Sequence, residues 1–478
     1  MITAEKAYKL NHKMTNNTSV RSVTAAVLFY SWMISFPYEG QVLYTLAAQE
    51  GMELGVWIRA AIGVLVLGLG CGVFVRSIKQ SKTVMLISET ICFVGSGMFF
   101  ILPVSMWPVL LLSISFPAGL WTASWGWFFR ACSPHNERIK TAAACLSASN
   151  VIMIGVDLAA ARVSPYLGSA LVILLLMACL FVTAGLPTFE PEVLRPAENV
   201  SKPFRLLCLF IIVVAVNSGL MFSVVNPAFA NFSKLTIWFG PLPYIVVIVA
   251  VMLLPKTVDR SYIPYAAIAM LGMSFLAFLT LGRSVRAYIV VNTLLLGACG
   301  INDLFWWSML SKMLDFSENP SGILGIGLSA NVIGVFFGEL IANLFPSGSS
   351  LPSLVGLAVV CTAILLLPPL QKQLSIRRDG VAFLPSRETD VPLSVASAVE
   401  MPYPADKLET STDGFSEKVD VLSARESQIV CLLFQGYTRK LIADELMISE
   451  NTVKTHIASI YDKFGVNNKT ELIKKLKD

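Results

Sequence analysis

LSASNVIMIGVDLAA, residues 146–160, returns in altered form as LSANVIGVFFGELIA, residues 328–342. Each copy follows a tryptophan-rich run, WTASWGWFF from Trp121 and NDLFWWSML from Asn302, at an offset of about 180 residues in both cases. Both copies sit in apolar runs of about 20 residues, the length a helix needs to cross hydrocarbon. The repeat therefore predicts a membrane domain built from two related halves.

Working outward, apolar runs of that length recur at 23–48, 54–75, 83–102, 104–129, 141–161 and 166–187. A polar connection, PTFEPEVLRPAENVSKPFR, then separates them from six more at 206–230, 235–254, 261–281, 287–310, 323–345 and 351–370. Composition agrees with twelve spans. Only 14% of the 478 residues are charged, against about 25% in soluble domains, and the mean hydropathy is +0.68. Residues 1–21 are polar, which predicts a cytoplasmic segment and no cleavable signal peptide.

Lysine and arginine orient the chain, because basic loops stay cytoplasmic. With the amino terminus inside, the inner segments hold nineteen, from Lys6 to Arg378, and the outer loops hold four, Arg162, Lys234, Arg283 and Arg286. An even number of spans returns the carboxyl terminus to the same side. The reading is a multi-pass protein of a bacterial cytoplasmic membrane with both termini cytoplasmic.

Six plus six spans around a central loop resemble the major facilitator superfamily over residues 20–370. That resemblance implies a central cavity lined by the first, fourth, seventh and tenth spans, which offers Glu39, Trp121, Trp125, Asn217 and Asp303 as candidate ligand or cavity residues. The loop after the second span, GVFVRSIKQSK from Gly72, lacks the acidic residue and second glycine of the superfamily's G-x-x-x-D-R-x-G-R-R pattern. The resemblance thus extends to the fold and stops short of active transport. Six charges fall within predicted spans: Glu39, Arg59, Glu89, Asp157, Asp303 and Glu339. Each should face protein or a wet cavity, since lipid rejects charge. The alternative role for them is holding helices together, with Glu39 and Asp157 near the outer interface. Gly68, Gly72, Gly334 and Gly338 fit small-residue helix packing.

Beyond Leu370, residues 371–420 are rich in Pro, Ser, Thr and acid, which predicts a flexible linker. About 45 such residues reach roughly 35–40 Å. From residue 421 the pattern becomes four short soluble helices. Ser423 and Glu426 form a capping box, Thr438 is placed to cap the second helix, and Ser449 the third. On the third, Val453, Ile457, Ile460, Tyr461 and Phe464 follow a helical period and should be buried. Asn451, Lys454, Thr455 and Ala458 form a narrow opposite face suited to a major groove. Its bland alternative is a solvated helix face.

The stretch from LSARE at residue 422 through QGYTRKLIADELMISENTVKTHIASIYDKFGVNNKT resembles the LuxR-type (NarL/FixJ) DNA-binding domain over residues 421–476. That implies principal base or phosphate contacts at Lys454 and Thr455, with Thr438, Asn451, Ala458 and Lys469 on the same interface, and a last helix that dimerises. Leu441 stands where the family has glutamate, and Lys469 where it has arginine. From Lys418 onward ten basic side chains meet eight acidic ones. So weak a positive balance favours paired copies on a two-fold operator.

The expected fold is therefore all-α: a twelve-helix transmembrane bundle with halves 22–187 and 204–370, plus a four-helix helix-turn-helix domain at 421–478. The expected function is a one-component transcription regulator that senses a small molecule in the membrane and binds double-stranded DNA as a homodimer. A transporter with a regulatory DNA- or protein-binding tail is the alternative. No cofactor, metal or enzymatic activity is expected, because the nine cysteines hold no CxxC pair, the three histidines are far apart, and no nucleotide or zinc motif occurs. A reporter active only outside the cytoplasm should be active when fused at Ser349 and silent after Asp478; the reverse pattern would refute the orientation.

Overall fold

Proline decides where the first span breaks. In the computed structural model, which describes residues 4–133, 137–188, 201–255, 260–346, 349–375, 423, 425–426, 429–430, 442–443, 449–466 and 471–472, α1 (Ala4–Met33) passes into a π-turn at Ile34–Tyr38. Pro37 lies inside that turn and has no N–H to continue an α-helical ladder. The chain resumes as α2 (Gln41–Gln49) beyond Gly40, where a Cβ would enter the Ser35 backbone. Further along come α3 (Gly55–Cys71), α4 (Ile78–Met98), α5 (Trp107–Ser124), α6 (Gly126–Cys132), α7 (Arg138–Arg162) and α8 (Pro165–Ala184).

The second half opens as the first does. Helix α9 (Ser201–Leu220) runs into a π-turn at Met221–Val225, and α10 (Asn226–Ala228) follows with Pro227 in its first turn. The two interruptions occupy corresponding places in the first helix of each half, as the internal repeat requires. Then follow α11 (Ser233–Phe239), α12 (Leu242–Leu253), α13 (Ile263–Thr280), α14 (Val285–Met313), α15 (Pro320–Asn343) and α16 (Leu351–Ser375). Helix α16 continues past residue 370, pinned where Gln371 Nε2 donates to the Ser261 carbonyl at 2.7 Å.

Ten of these helical stretches are long and apolar enough to cross a membrane. The other two expected spans are helical but fall short of that combination of length and hydropathy, for reasons visible in their residues. Span 23–48 is broken at Pro37, and span 83–102 lies on α4, whose Lys79, Lys82 and Glu89 dilute its hydropathy. Side-chain caps start four of the helices: Ser77 accepts from Gln80 N, Ser164 from Tyr166 N, Ser284 from Ala287 N and Asn319 from Gly322 N. Each satisfies a backbone donor that lipid could not.

Lipid offers no hydrophobic drive between helices, so small residues and shape bring them together. Gly68 lies against the Phe116 carbonyl and Gly119 against that of Leu65, which fixes α3 on α5. Gly219, Gly334 and Gly338 seat α15 on α9 in the same way, against Val335, Ile212 and Val216. Across the halves, Gly325 rests on the Leu69 carbonyl and Gly126 on that of Pro320. A side chain at any of these positions would enter a neighbour's backbone.

The chain divides into two units, Met1–Asp390 and Val391–Asp478. The second has its own apolar core of Ile429, Val430, Ile442, Ala443, Val453, Ile457, Ile460, Val466 and Leu472. The expected linker, beyond Ser375, lies outside the described residues.

Candidate nucleic-acid interface and membrane cavity

Helix α17 (Glu450–Phe464) carries the expected reading face. Ser449 caps it, accepting from Thr452 N at 3.0 Å, and Gly465 ends it at φ 59°, left-handed backbone that glycine adopts without strain. Val453, Ile457 and Ile460 are buried, and Tyr461 and Phe464 pack against the same core. Asn451, Lys454, Thr455 and Ala458 are all exposed on the opposite side. Thr455 Oγ1 donates back to the Asn451 carbonyl at 3.0 Å, so its methyl and the Lys454 ammonium dominate the outward surface. Thr438 and Lys469 lie outside the described residues.

Glu426 locks this helix to the first. Ser423 N donates to its Oε2 at 2.7 Å while Glu426 N donates to Ser423 Oγ at 3.3 Å, completing the capping box. The same carboxylate accepts from Ser459 Oγ at 2.7 Å and Lys463 Nζ at 2.6 Å, both on α17. The Lys463 ammonium, then the Ser423 N–H and the Ser459 hydroxyl, hold its pKa down at about 2.

In the membrane unit the two halves are laced together at the end that carries Arg76, Arg130 and Arg138. Arg138 meets Asp315 with both guanidinium nitrogens, at 2.7 and 2.5 Å, with both side chains nearly inaccessible. Arg138 also donates to the Ser311 carbonyl at 2.6 Å, Arg130 to that of Ser317 at 2.9 Å, and Asn319 Nδ2 to that of Val73 at 2.6 Å. Above this lacing lies an aromatic seam. Tyr30 and Trp125 of the first half meet Trp307 of the second at ring-centroid distances of 5.9 and 6.4 Å. Trp307 in turn stacks on Trp306 at 5.6 Å.

A cavity of about 10 Å³ lies inside the second half between α9, α13, α14 and α15, with Ser218, Cys299, Asn302, Asp303, Trp306 and Asn331 as its polar and aromatic lining. Asp303 Oδ2 accepts from Tyr244 OH at 2.9 Å and Oδ1 from Trp306 Nε1 at 3.1 Å. Glu39 is exposed and within electrostatic reach of both Asp303 and Asp157. Among the named candidates, then, Asp303 lines the cavity and Glu39 lies near it.

The others sit elsewhere. Trp121 is fully buried, stacked on Phe29 at 3.9 Å, and donates to Glu89 Oε1 at 2.6 Å. Trp125 donates to the Ser22 carbonyl at 3.2 Å and belongs to the seam. Asn217 is 1% exposed, donates to the Val214 carbonyl at 3.4 Å and does not line the cavity. The remaining charges within the spans also find partners: Glu89 takes Thr183 Oγ1 at 2.7 Å, Asp157 takes Gln41 N at 2.9 Å, and Arg59 and Glu339 act on each other.

Sequence reasoning missed Asn302, Ser218 and Asn331, because span membership offered Asn217 and Asp303 without showing which face of each span turns to the cavity, and Asn331 lies on a span outside the four expected to line it. Their signal was available: Asn302 directly precedes Asp303. It also missed the lacing, since Arg138 and Asp315 fall at span ends, where charge is ordinary.

Residues 420–476 match the family of bacterial regulatory proteins, luxR family. The chain is 36% identical over 73 residues to the transcriptional regulatory protein DegU of Brevibacillus brevis, covering 14% of this chain and 31% of that one. It is 46% identical over 55 residues to the monoamine regulon transcriptional regulator of Klebsiella aerogenes, covering 12% and 24%. With the HTH-type transcriptional regulator MalT of Yersinia pestis the figures are 39% over 54 residues, 11% and 6%. The chain thus spans less than a third of these curated relatives.

Among solved structures, a bacterial homologue of the iron transporter ferroportin in an outward-facing state superposes with a TM-score of 0.56 at 13% identity, over 75% of this chain and 99% of that one. The proton:xylose symporter XylE of the major facilitator superfamily gives 0.54 at 12% identity, over 76% and 96%. The human organic anion transporter MFSD10 gives 0.56 at 13%, over 74% and 98%. A luxR-family DNA-binding domain is therefore joined to a multi-pass membrane domain of major-facilitator fold.

The Glu426 network generates a pH prediction. A carboxylate held below its usual pKa of about 4.3 contributes its full stability above that pH and loses it as pH falls toward 2. The tail's melting temperature should drop across that window. Glu426→Gln should cost roughly 0.5–2 kcal/mol at neutral pH, the range for a lost cap, and flatten the acid dependence. An unchanged acid profile in this variant, followed by circular dichroism, would remove Glu426 as its source.

Proposed function

We propose that the chain is a one-component transcription regulator: the membrane domain senses a small molecule, and the tail converts that event into altered binding of a DNA operator. The observation that carries this reading is the exposed face of α17, Asn451, Lys454, Thr455 and Ala458, free of large apolar groups, over a buried apolar stripe. A surface of that width suits a major groove, where Lys454 can donate to a guanine edge or a phosphate. Having both elements in one chain supports direct coupling of sensing to DNA.

On this reading the laced end, rich in arginine, faces the cytoplasm of a bacterial cell, and the tail extends from residues 371–420 on that side. The small positive excess of the tail supports weak binding by one copy and strong binding by two on a two-fold operator. Membrane domains would then regulate by setting how closely two tails meet, through effective concentration, or by releasing a docked tail. A secondary transporter with a regulatory tail is the second reading, favoured by the transporters that share the membrane fold. Concentrative uptake into proteoliposomes supports the transporter; ligand binding without flux supports the sensor.

Lys454→Ala should weaken specific operator binding by about 1–3 kcal/mol if it contacts a base and leave the melting temperature unchanged, because the side chain is exposed. Unaltered binding by the folded variant, measured by fluorescence anisotropy, would remove this face from the interface.

A further inference from the structure

Asn302 is 2% exposed, deep in a membrane helix, and neither its Oδ1 nor its Nδ2 has a hydrogen-bond partner. A buried carboxamide left wholly unpaired is costly, and such groups are rare in folded proteins. It is not stranded at random. Asn302 lines the cavity beside Asp303, and the same wall carries the Ser218 hydroxyl and the Asn331 carboxamide. At about 10 Å³ the space is close to that of one water-sized sphere, too small for an organic ligand.

The charge balance around the cavity is also incomplete. Asp303 receives hydrogen bonds from Tyr244 and Trp306 and makes no ion pair among the described residues. Its neighbours within electrostatic reach include another acid, Glu39. An intramembrane carboxylate without a cationic partner is costly and marks a functional site by default.

We propose that this cavity binds one dehydrated alkali-metal cation of sodium's size, held by the Asp303 carboxylate, the Asn302 carboxamide oxygen and the Ser218 hydroxyl. Three hard oxygens at the cavity suit a hard cation, and the Cys299 thiol in the same lining is engaged with the Ser218 hydroxyl, Sγ to Oγ 3.8 Å. The one carboxylate that lines the cavity, Asp303, is neutralised by one positive charge. Glu39 lies nearby, within electrostatic reach of Asp303. Trp306, which donates to Asp303 on one side and stacks on Trp307 on the other, links the cavity to the seam between the halves. The inference rests on the sensor reading only for this last connection; the ion site itself does not depend on it.

The test is equilibrium dialysis of radioactive sodium against the full-length protein in lipid nanodiscs, with choline as the balancing cation. Saturable binding at one ion per chain is expected, displaced by unlabelled sodium and untouched by choline. Asp303→Asn and Asn302→Leu should each weaken it at least tenfold. Should either variant fail to fold, Ser218→Ala, which removes one oxygen from a half-buried position, should still weaken it severalfold. No saturable binding by the folded parent would reduce the cavity to a water site, and binding undiminished in the folded variants would place the ion elsewhere; either overturns the proposal. Operator affinity measured in sodium and in choline is scored separately. Sodium binding without any change in operator affinity would count against sensing of this ion while leaving the site intact. An operator response to some other compound, in a protein that binds no sodium, would do the opposite.

Discussion

The Arg138–Asp315 pair is the constraint on which the membrane unit turns. Two charges removed from water in a lipid-embedded protein are costly, and only good geometry with further hydrogen bonds recovers that cost. Here the guanidinium meets both carboxylate oxygens and also the Ser311 carbonyl. Removing either partner would leave the other's charge without this bidentate pairing. The pair joins α7 of the first half to the turn after α14 of the second, so it closes one end of the bundle and, with Arg130 and Asn319, decides how the halves meet. The aromatic seam around Trp307 and the glycine contacts of α15 stack above it.

The two units obey different physics. In the membrane unit small residues set the packing, since lipid already solvates apolar side chains: Gly219, Gly334 and Gly338 let backbones touch, and Glu89, Asp157, Asn217 and Asn302 turn inward. The tail is held by water's rejection of Val453, Ile457 and Ile460, and by one carboxylate, Glu426, that caps one helix while gripping another. Its reading face is free of that duty. This separation leaves Asn451, Lys454, Thr455 and Ala458 exposed and outside the core that holds the tail together.

Much of this was legible in the residues. Apolar length located the spans, the echo of residues 146–160 in 328–342 gave the two halves, and the S-x-x-E box and Ser449 marked helix starts that the structure reproduces. What could not be read was which polar side chains meet across distance. Trp121 looked like a cavity residue by its span, yet it stacks on Phe29 because helix rotation, set by Gly119 against α3, turns it into the first half. Asn302 escaped notice while Asn217 was named, because helix rotation, and with it which amide faces the cavity unpaired, is not written in span membership. The Pro37 π-turn was not anticipated, although the proline itself was visible.

The central claim is that the state of the membrane halves governs DNA binding by the tail. It is tested most directly by operator affinity of the full-length protein in nanodiscs, compared among the parent, Arg138→Asp, Asp315→Arg and the double charge reversal. If the claim holds, each single change alters affinity severalfold and the double reversal recovers part of the change, since an aspartate at position 138 could not donate to the Ser311 carbonyl. Equal affinity in all four folded proteins would contradict it, leaving a DNA-binding domain merely anchored to a membrane protein.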